Sequence, residues 1–129
     1  MPTTDIPAFI ADWFARLDRL DPIEAFLPDL HPEVHWDMPG VDLSLRGHDR
    51  VRAWYVGILG TLQRPTEHHV SNIHIEDATV SFDVLLRARN FDGRLIEARA
   101  GEHWCFVIRS DGRPLITHYS VHMLEEAQP

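Results

Sequence analysis

Residues 67–123 read EHHVSNIHIEDATVSFDVLLRARNFDGRLIEARAGEHWCFVIRSDGRPLITHYSVHM, and this stretch decides the fold. No helical period runs through it. Runs rich in β-branched and aromatic residues are separated by Glu76-Asp77, Asp92-Gly93 and Asp111-Gly112. The last two are strong hairpin signals, because glycine accepts the positive φ that a tight antiparallel turn demands. The spacing predicts four strands, His68 to Ile75, Thr79 to Asn90, Arg94 to Arg109 and Arg113 to Met123, paired in order as an antiparallel meander.

Upstream of this run the period changes to that of helices. Phe9, Ile10, Trp13, Phe14, Leu17 and Leu20 fall on one face of a first helix that starts near Asp5 or Pro7. Asp21-Pro22-Ile23-Glu24 predicts a short second helix to about Leu27, with Asp21 as N-cap, Pro22 at the first helical position and Glu24 closing a capping box. His31-Pro32 breaks that pattern. Val34 to Met38 is the first strand, ended by the turn residues Pro39-Gly40. A loop through Gly47 leads to a third helix, capped by Asp49, which carries Val51, Trp54, Tyr55, Ile58, Leu59 and Leu62 on one face and ends before Pro65.

A chain of 129 residues with 44% hydrophobic and 25% charged residues has the composition of one globular domain with a continuous core. We expect a single domain over residues 1–129. The net charge of -8 and the lack of any basic run argue against nucleic acid as a partner. No apolar run approaches a membrane span, and the first residues, Met-Pro-Thr-Thr-Asp-Ile-Pro, lack the basic and then apolar pattern of a signal peptide. The expectation is a cytoplasmic protein without a membrane partner. Cys105 is the single cysteine and sits among Trp104, Phe106 and Val107, where it reads as a small packed hydrophobe.

The order of helix, short helix, strand, helix and long meander resembles the SnoaL-like branch of the nuclear transport factor 2-like superfamily. The resemblance is carried by Trp13-Phe14-Ala15-Arg16-Leu17-Asp18-Arg19-Leu20-Asp21, by Val34-His35-Trp36-Asp37-Met38-Pro39-Gly40, and by Arg46-Gly47-His48-Asp49 leading into Val51-Arg52-Ala53-Trp54-Tyr55. It implies an α+β, cone-shaped fold in which helices pack in the concave face of a curved mixed, mainly antiparallel sheet. It implies a homodimer through the convex sheet face, and an apolar pocket for a small hydrophobic molecule on the concave side. Phe14, Trp36, Met38, Trp54, Tyr55, Trp104 and Tyr119 are the expected substrate-binding wall, although aromatics at such spacing are more often plain core packing.

Two residues stand out for chemistry. Asp18 lies one turn beyond Phe14 on the edge of the apolar stripe, so its carboxylate leans inward and requires a partner. The alternative is a solvated residue at the helix border. His68-His69-Val70-Ser71-Asn72 resembles the segment in which dehydratase and dehydrochlorinase relatives carry a catalytic histidine, paired in those proteins with an aspartate at the end of the first helix. The resemblance assigns these roles to His68 and Asp18. A carboxylate that orients an imidazole makes a base able to take a proton from carbon beside a carbonyl or leaving group. His69 competes with His68, because neighbouring strand residues face opposite sides.

Other chemistries of the superfamily lack their residues. Aligned on the ketosteroid isomerases, Met38 stands at the position of the base, with Asp37 beside it, and Phe14 and Trp104 stand where that family has its oxyanion donors. Residues 115–123 hold no carboxylate for a SnoaL-type acid/base. His118 and His122 lie roughly 13 Å apart along a strand, so nine histidines still give no metal site by spacing. The function expected is cofactor-independent elimination, dehydration or isomerisation of a small hydrophobic substrate. The alternative is a non-catalytic ligand-binding or dimerisation domain on the same fold.

Overall fold

The computed structural model describes residues 5–39 and 42–124. Gly40 of the expected Pro39-Gly40 turn and the first four residues, read above for a signal peptide, lie outside the described residues. Helix α1 spans Ile6–Asp18, with Asp5 as its N-cap accepting the Ala8 N–H at 3.0 Å. Of the stripe that the apolar period marks it buries Ile10, Trp13 and Phe14, together with Ile6, while Phe9 and Leu17 are half-buried. The helix stops because Leu20 turns into the left-handed region, φ 50°, while the Asp21 N–H returns to the Arg16 carbonyl at 3.1 Å.

The expected short second helix is two 3₁₀ turns, Ile23–Ala25 and Leu27–Asp29. Neither has a side-chain cap. The Asp21 carboxylate grips Arg19 at 2.9 Å instead of capping, so the expected capping box is not formed. Strand β1 covers Leu30–Met38 and starts four residues earlier than the sequence suggests. Leu43–Arg46, read above as loop, is an edge strand, β2, paired antiparallel to β1 from His35/Arg46 to Met38/Leu43.

Helix α2, Gly47–Leu59, begins two residues before Asp49. Asp49 therefore lies inside the first turn rather than at the cap, 3.4 Å from Arg52. Gly47 makes the abrupt strand-to-helix change at φ 82°, and a side chain there would press on the Pro32 carbonyl at 3.3 Å.

The meander follows the hairpin signals closely: β3 Glu67–Glu76, β4 Thr79–Arg89, β5 Leu95–Ile108 and β6 Pro114–Met123. The sheet order is β2-β1-β6-β5-β4-β3, antiparallel except where β1 runs parallel to β6. On β5, Trp104 and Phe106 are buried while His103 is exposed, as strict alternation requires. On β6 the alternation slips. Cys105 pairs with His118 but Phe106 pairs with Ile116, leaving Thr117 as a bulge. Ile116 and Tyr119 consequently both point inward, and Thr117 donates its hydroxyl to the Cys105 carbonyl at 3.2 Å.

The core is an aromatic cluster around Trp13. Its ring meets Phe26, Trp104 and Tyr119 with centroids 5.1, 5.8 and 5.8 Å away. Beside it the Arg16 guanidinium lies over Trp13 and Phe26, bonds the Ala25 carbonyl and pairs with Asp29 at 2.9 Å. Asp29 also takes Arg113 at 2.8 Å and is almost wholly buried, so it ties α1, the 3₁₀ turn and the start of β6 together. Removing one partner of a buried pair leaves the other charge uncompensated. Asp29→Ala should therefore lower unfolding stability by about 3–5 kcal/mol in urea melts, whereas Arg113→Ala, whose side chain is half exposed, should cost a fraction of that.

Candidate functional site

The end of α1 and the start of β3 are lashed together by backbone acceptors. Arg64 donates to the carbonyls of Arg19 and Leu20, both at 3.0 Å, and the Thr66 N–H reaches the Asp18 carbonyl at 3.0 Å. These bonds satisfy carbonyls that the last helical turn leaves open, and they bring a cation to its negative end. As a result, the first residues of β3 sit on the last residue of α1.

Asp18 uses that position fully. One carboxylate oxygen accepts the Thr66 hydroxyl at 2.9 Å and is 2.6 Å from His68 Nδ1. The other oxygen accepts the His68 backbone N–H at 3.3 Å. Both members of the pair are largely enclosed, the His68 side chain 14% exposed and that of Asp18 28%. A carboxylate facing Nδ1 holds the proton on that nitrogen, leaving the Nε2 lone pair free. Burial pushes the His68 pKa below its usual value, outweighing the hydrogen bond and charge of Asp18, which raise it. The ring is therefore neutral at pH 7.

The choice between the two histidines is decided by pleat. His68 lines an internal cavity, while His69, 60% exposed, points to the opposite side beside Glu67. The cavity has a volume of about 190 Å³ and lies between the two helices and the concave face of the sheet. Phe14 and Leu17 of α1, Trp54 and Ile58 of α2, and Leu86 and Val121 of the sheet give it an apolar wall. An engineered cavity of about 150 Å³ holds benzene, so this one admits a single ring with one or two substituents.

Six of the seven expected wall residues border the cavity: Phe14, Trp36, Met38, Trp54, Tyr55 and Tyr119. Trp104 does not. It is buried behind the wall, packed against Trp13, Phe82 and Tyr119. Tyr55 donates its hydroxyl to the Asp21 carbonyl at 2.6 Å, and burial pushes its pKa up to about 12. Asp37 faces away from the cavity and pairs with Arg46 and Ser44, both at 2.9 Å. Among the described residues no three His, Cys, Asp or Glu side chains converge as a metal cluster.

Two polar residues of the site were not singled out from sequence. Thr66, buried in the segment before β3, carries no pattern that marks it. Glu102 does carry one: it stands two residues before Trp104 and so shares its inward face. Glu102 borders the cavity, is buried, and accepts the Trp104 indole N–H at 3.0 Å. Tyr119 is its second hydrogen-bonding neighbour. Burial raises the Glu102 pKa to about 7, against the lowering effect of those two partners. Trp36 Nε1 is buried with no partner among the described residues.

No protein-family model matches the chain, and no curated protein matches it in sequence. Solved structures match its shape over nearly the whole length. A ketosteroid isomerase-like protein from Erwinia carotovora atroseptica superposes with a TM-score of 0.72 at 14% identity, covering 94% of this chain and 95% of that one. A nuclear transport factor 2-like protein of unknown function from Burkholderia pseudomallei gives 0.70 at 18% identity, covering 89% and 87%. An LEH-like epoxide hydrolase from M. tuberculosis gives 0.69 at 15% identity, covering 89% and 79%. With its helices packed against a six-stranded mixed sheet that does not close, the chain has the cone-shaped α+β fold of the nuclear transport factor 2-like superfamily.

Proposed function

We propose that this chain is a SnoaL-like enzyme that removes a proton from carbon in a small hydrophobic molecule, leading to elimination, dehydration or isomerisation. The observation that carries the reading is the 2.6 Å contact between Asp18 and His68 Nδ1 at the wall of an apolar cavity. A neutral imidazole with one nitrogen committed to a carboxylate presents the other as a base, and the apolar wall keeps competing water away. The Thr66 hydroxyl and the His68 backbone N–H hold the carboxylate in place, so the acceptor that orients the ring is itself fixed. Fold neighbours named as isomerase-like and epoxide hydrolase support a small-molecule enzyme without indicating the reaction.

The reading requires no cofactor, since proton removal by a positioned base is worth about 10²–10⁴-fold and orientation supplies further rate. A non-catalytic ligand-binding role predicts the same cavity but no dependence of turnover on the pair. Incubation with small ketones in D₂O separates the two, because α-carbon deuteration reports proton abstraction directly. Deuteration of acetophenone, followed by mass spectrometry, should fall by about 10²–10⁴-fold in His68→Ala and by less in Asp18→Asn. Rates undiminished in both variants would remove the proposed roles.

The pH dependence has a definite sign. The active form is neutral His68, and its pKa is lowered from 6.5 by burial. The exchange rate should therefore rise with pH along a limb whose midpoint lies below 6.5. Asp18→Asn, which deletes a charge that raises this pKa, should move the midpoint lower still.

A further inference from the structure

The face of the sheet turned away from the cavity carries a pair of histidines that the proposed chemistry does not use. His35 of β1 and His118 of β6 are opposed in the parallel register, as are the next residues, Trp36 and Tyr119. Neighbouring strand residues face opposite sides. The stacked rings of Trp36 and Tyr119 therefore border the cavity while the two imidazoles sit behind them. Their ring centroids lie 4.8 Å apart with planes tilted by 47°. His118 is exposed and His35 half-buried, so solvent reaches the pair. Spacing along the chain gives no hint of it, because only the pairing of β1 with β6 brings the two residues together.

Among the described residues neither ring pairs with a carboxylate; the histidine ion pairs there are those of His68, His69 and His74. Asp37, which shares that face of β1, is taken up by Arg46 and Ser44. His118 is oriented by a different bond. The Thr117 hydroxyl gives its one hydrogen to the Cys105 carbonyl at 3.2 Å, so towards His118 Nδ1, 3.1 Å away, it can only accept. The proton of a neutral His118 ring is thereby placed on Nδ1, and Nε2 keeps a bare lone pair. One ring nitrogen donating to an oxygen while the other stays open is the arrangement that orients histidine ligands in metal sites.

We infer that His35 and His118 form a chelating site for one divalent transition-metal ion of the zinc, nickel or copper class, on the sheet surface behind the cavity wall. Imidazole nitrogen suits these ions, at about 2.0–2.1 Å for zinc. Two rings that are close but not parallel can each aim one nitrogen at a shared point. No third His, Cys, Asp or Glu side chain converges with them among the described residues, so water completes the coordination. Cys105 is the cross-strand neighbour of His118, but its thiol lies by His103 Nε2 at 3.9 Å. A bound ion ties β1 to β6, the pair that runs parallel, directly behind Trp36 and Tyr119.

Isothermal titration calorimetry of the full chain with Ni²⁺ tests the site, with Mg²⁺, which takes oxygen ligands, as the contrast. Wild-type protein should bind no more than one Ni²⁺ per chain at this site and ignore Mg²⁺. Joining two ligands on one rigid sheet raises affinity by about 10²–10⁴-fold over one alone, so His35→Ala and His118→Ala should each weaken binding by at least about 10²-fold. The double variant should lose little more than either single one, because the first loss already breaks the chelate. Thr117→Val, which removes the acceptor of the Nδ1 proton, should weaken binding by about 10–100-fold. Cys105→Ser, and His74→Ala on the exposed part of β3, should bind as the wild type does.

Two further readouts locate the ion. Ni²⁺ should raise the Tm of the wild type and leave that of either single histidine variant unmoved. In nitrogen-15 spectra Zn²⁺ should shift Nε2 of His118 while Nδ1 stays protonated. Wild-type protein that binds no Ni²⁺, or binding that survives in both single histidine variants, would overturn the inference. So would a loss that follows Cys105→Ser or His74→Ala instead, or Zn²⁺ bound through His118 Nδ1.

Discussion

The contact between the last residue of α1 and the second residue of β3 is the constraint on which the site depends. Asp18 is where the helix runs out of its own hydrogen-bond partners, and the segment 64–68 supplies new ones to the carbonyls and the carboxylate together. The same bonds that end the helix also aim an imidazole into the cavity. A change in the length of α1 by one residue would rotate Asp18 by about 100° around the helix and separate the pair. Structural and chemical roles therefore fall on one set of atoms.

Electrostatics divides the cavity. At one place in it burial lowers the pKa of His68, and at another burial raises that of Glu102 to about 7. Both shifts have desolvation as their largest cause and move the two groups in opposite directions from their ordinary values. Aromatic packing makes it possible. Trp13, Trp104 and Tyr119 exclude water around Glu102 while offering it an indole N–H and a hydroxyl.

The meander was legible because Asp92-Gly93 and Asp111-Gly112 mark tight turns, and Gly93 and Gly112 do sit at φ 88° and 85°. Helix α1 was legible from its apolar period. The short edge strand β2 was not, because Leu43-Ser44-Leu45-Arg46 is too brief to show alternation and is made a strand by pairing with β1. Expected caps failed where an ion pair competed, as between Asp21 and Arg19. The bulge at Thr117 interrupts the inward alternation on β6 between Ile116 and Tyr119, which no local residue announces. At the site, Asp18 and His68 were singled out by resemblance and by the inward lean of the helix edge. The pleat that separates His68 from His69 needed the register of β3 on β4. Glu102 was readable in principle, as a charge in phase with Trp104, and was overlooked because a buried carboxylate is rare.

The central claim is that burial keeps His68 neutral while Asp18 holds its proton on Nδ1, leaving Nε2 open to the cavity. Nitrogen-15 NMR of histidine-labelled protein measures this directly. The account predicts that at pH 7 His68 shows one protonated and one bare ring nitrogen, the proton on Nδ1, with a titration midpoint below 6.5. A His68 ring that carries its proton on Nε2, or that titrates at or above 6.5, would contradict it.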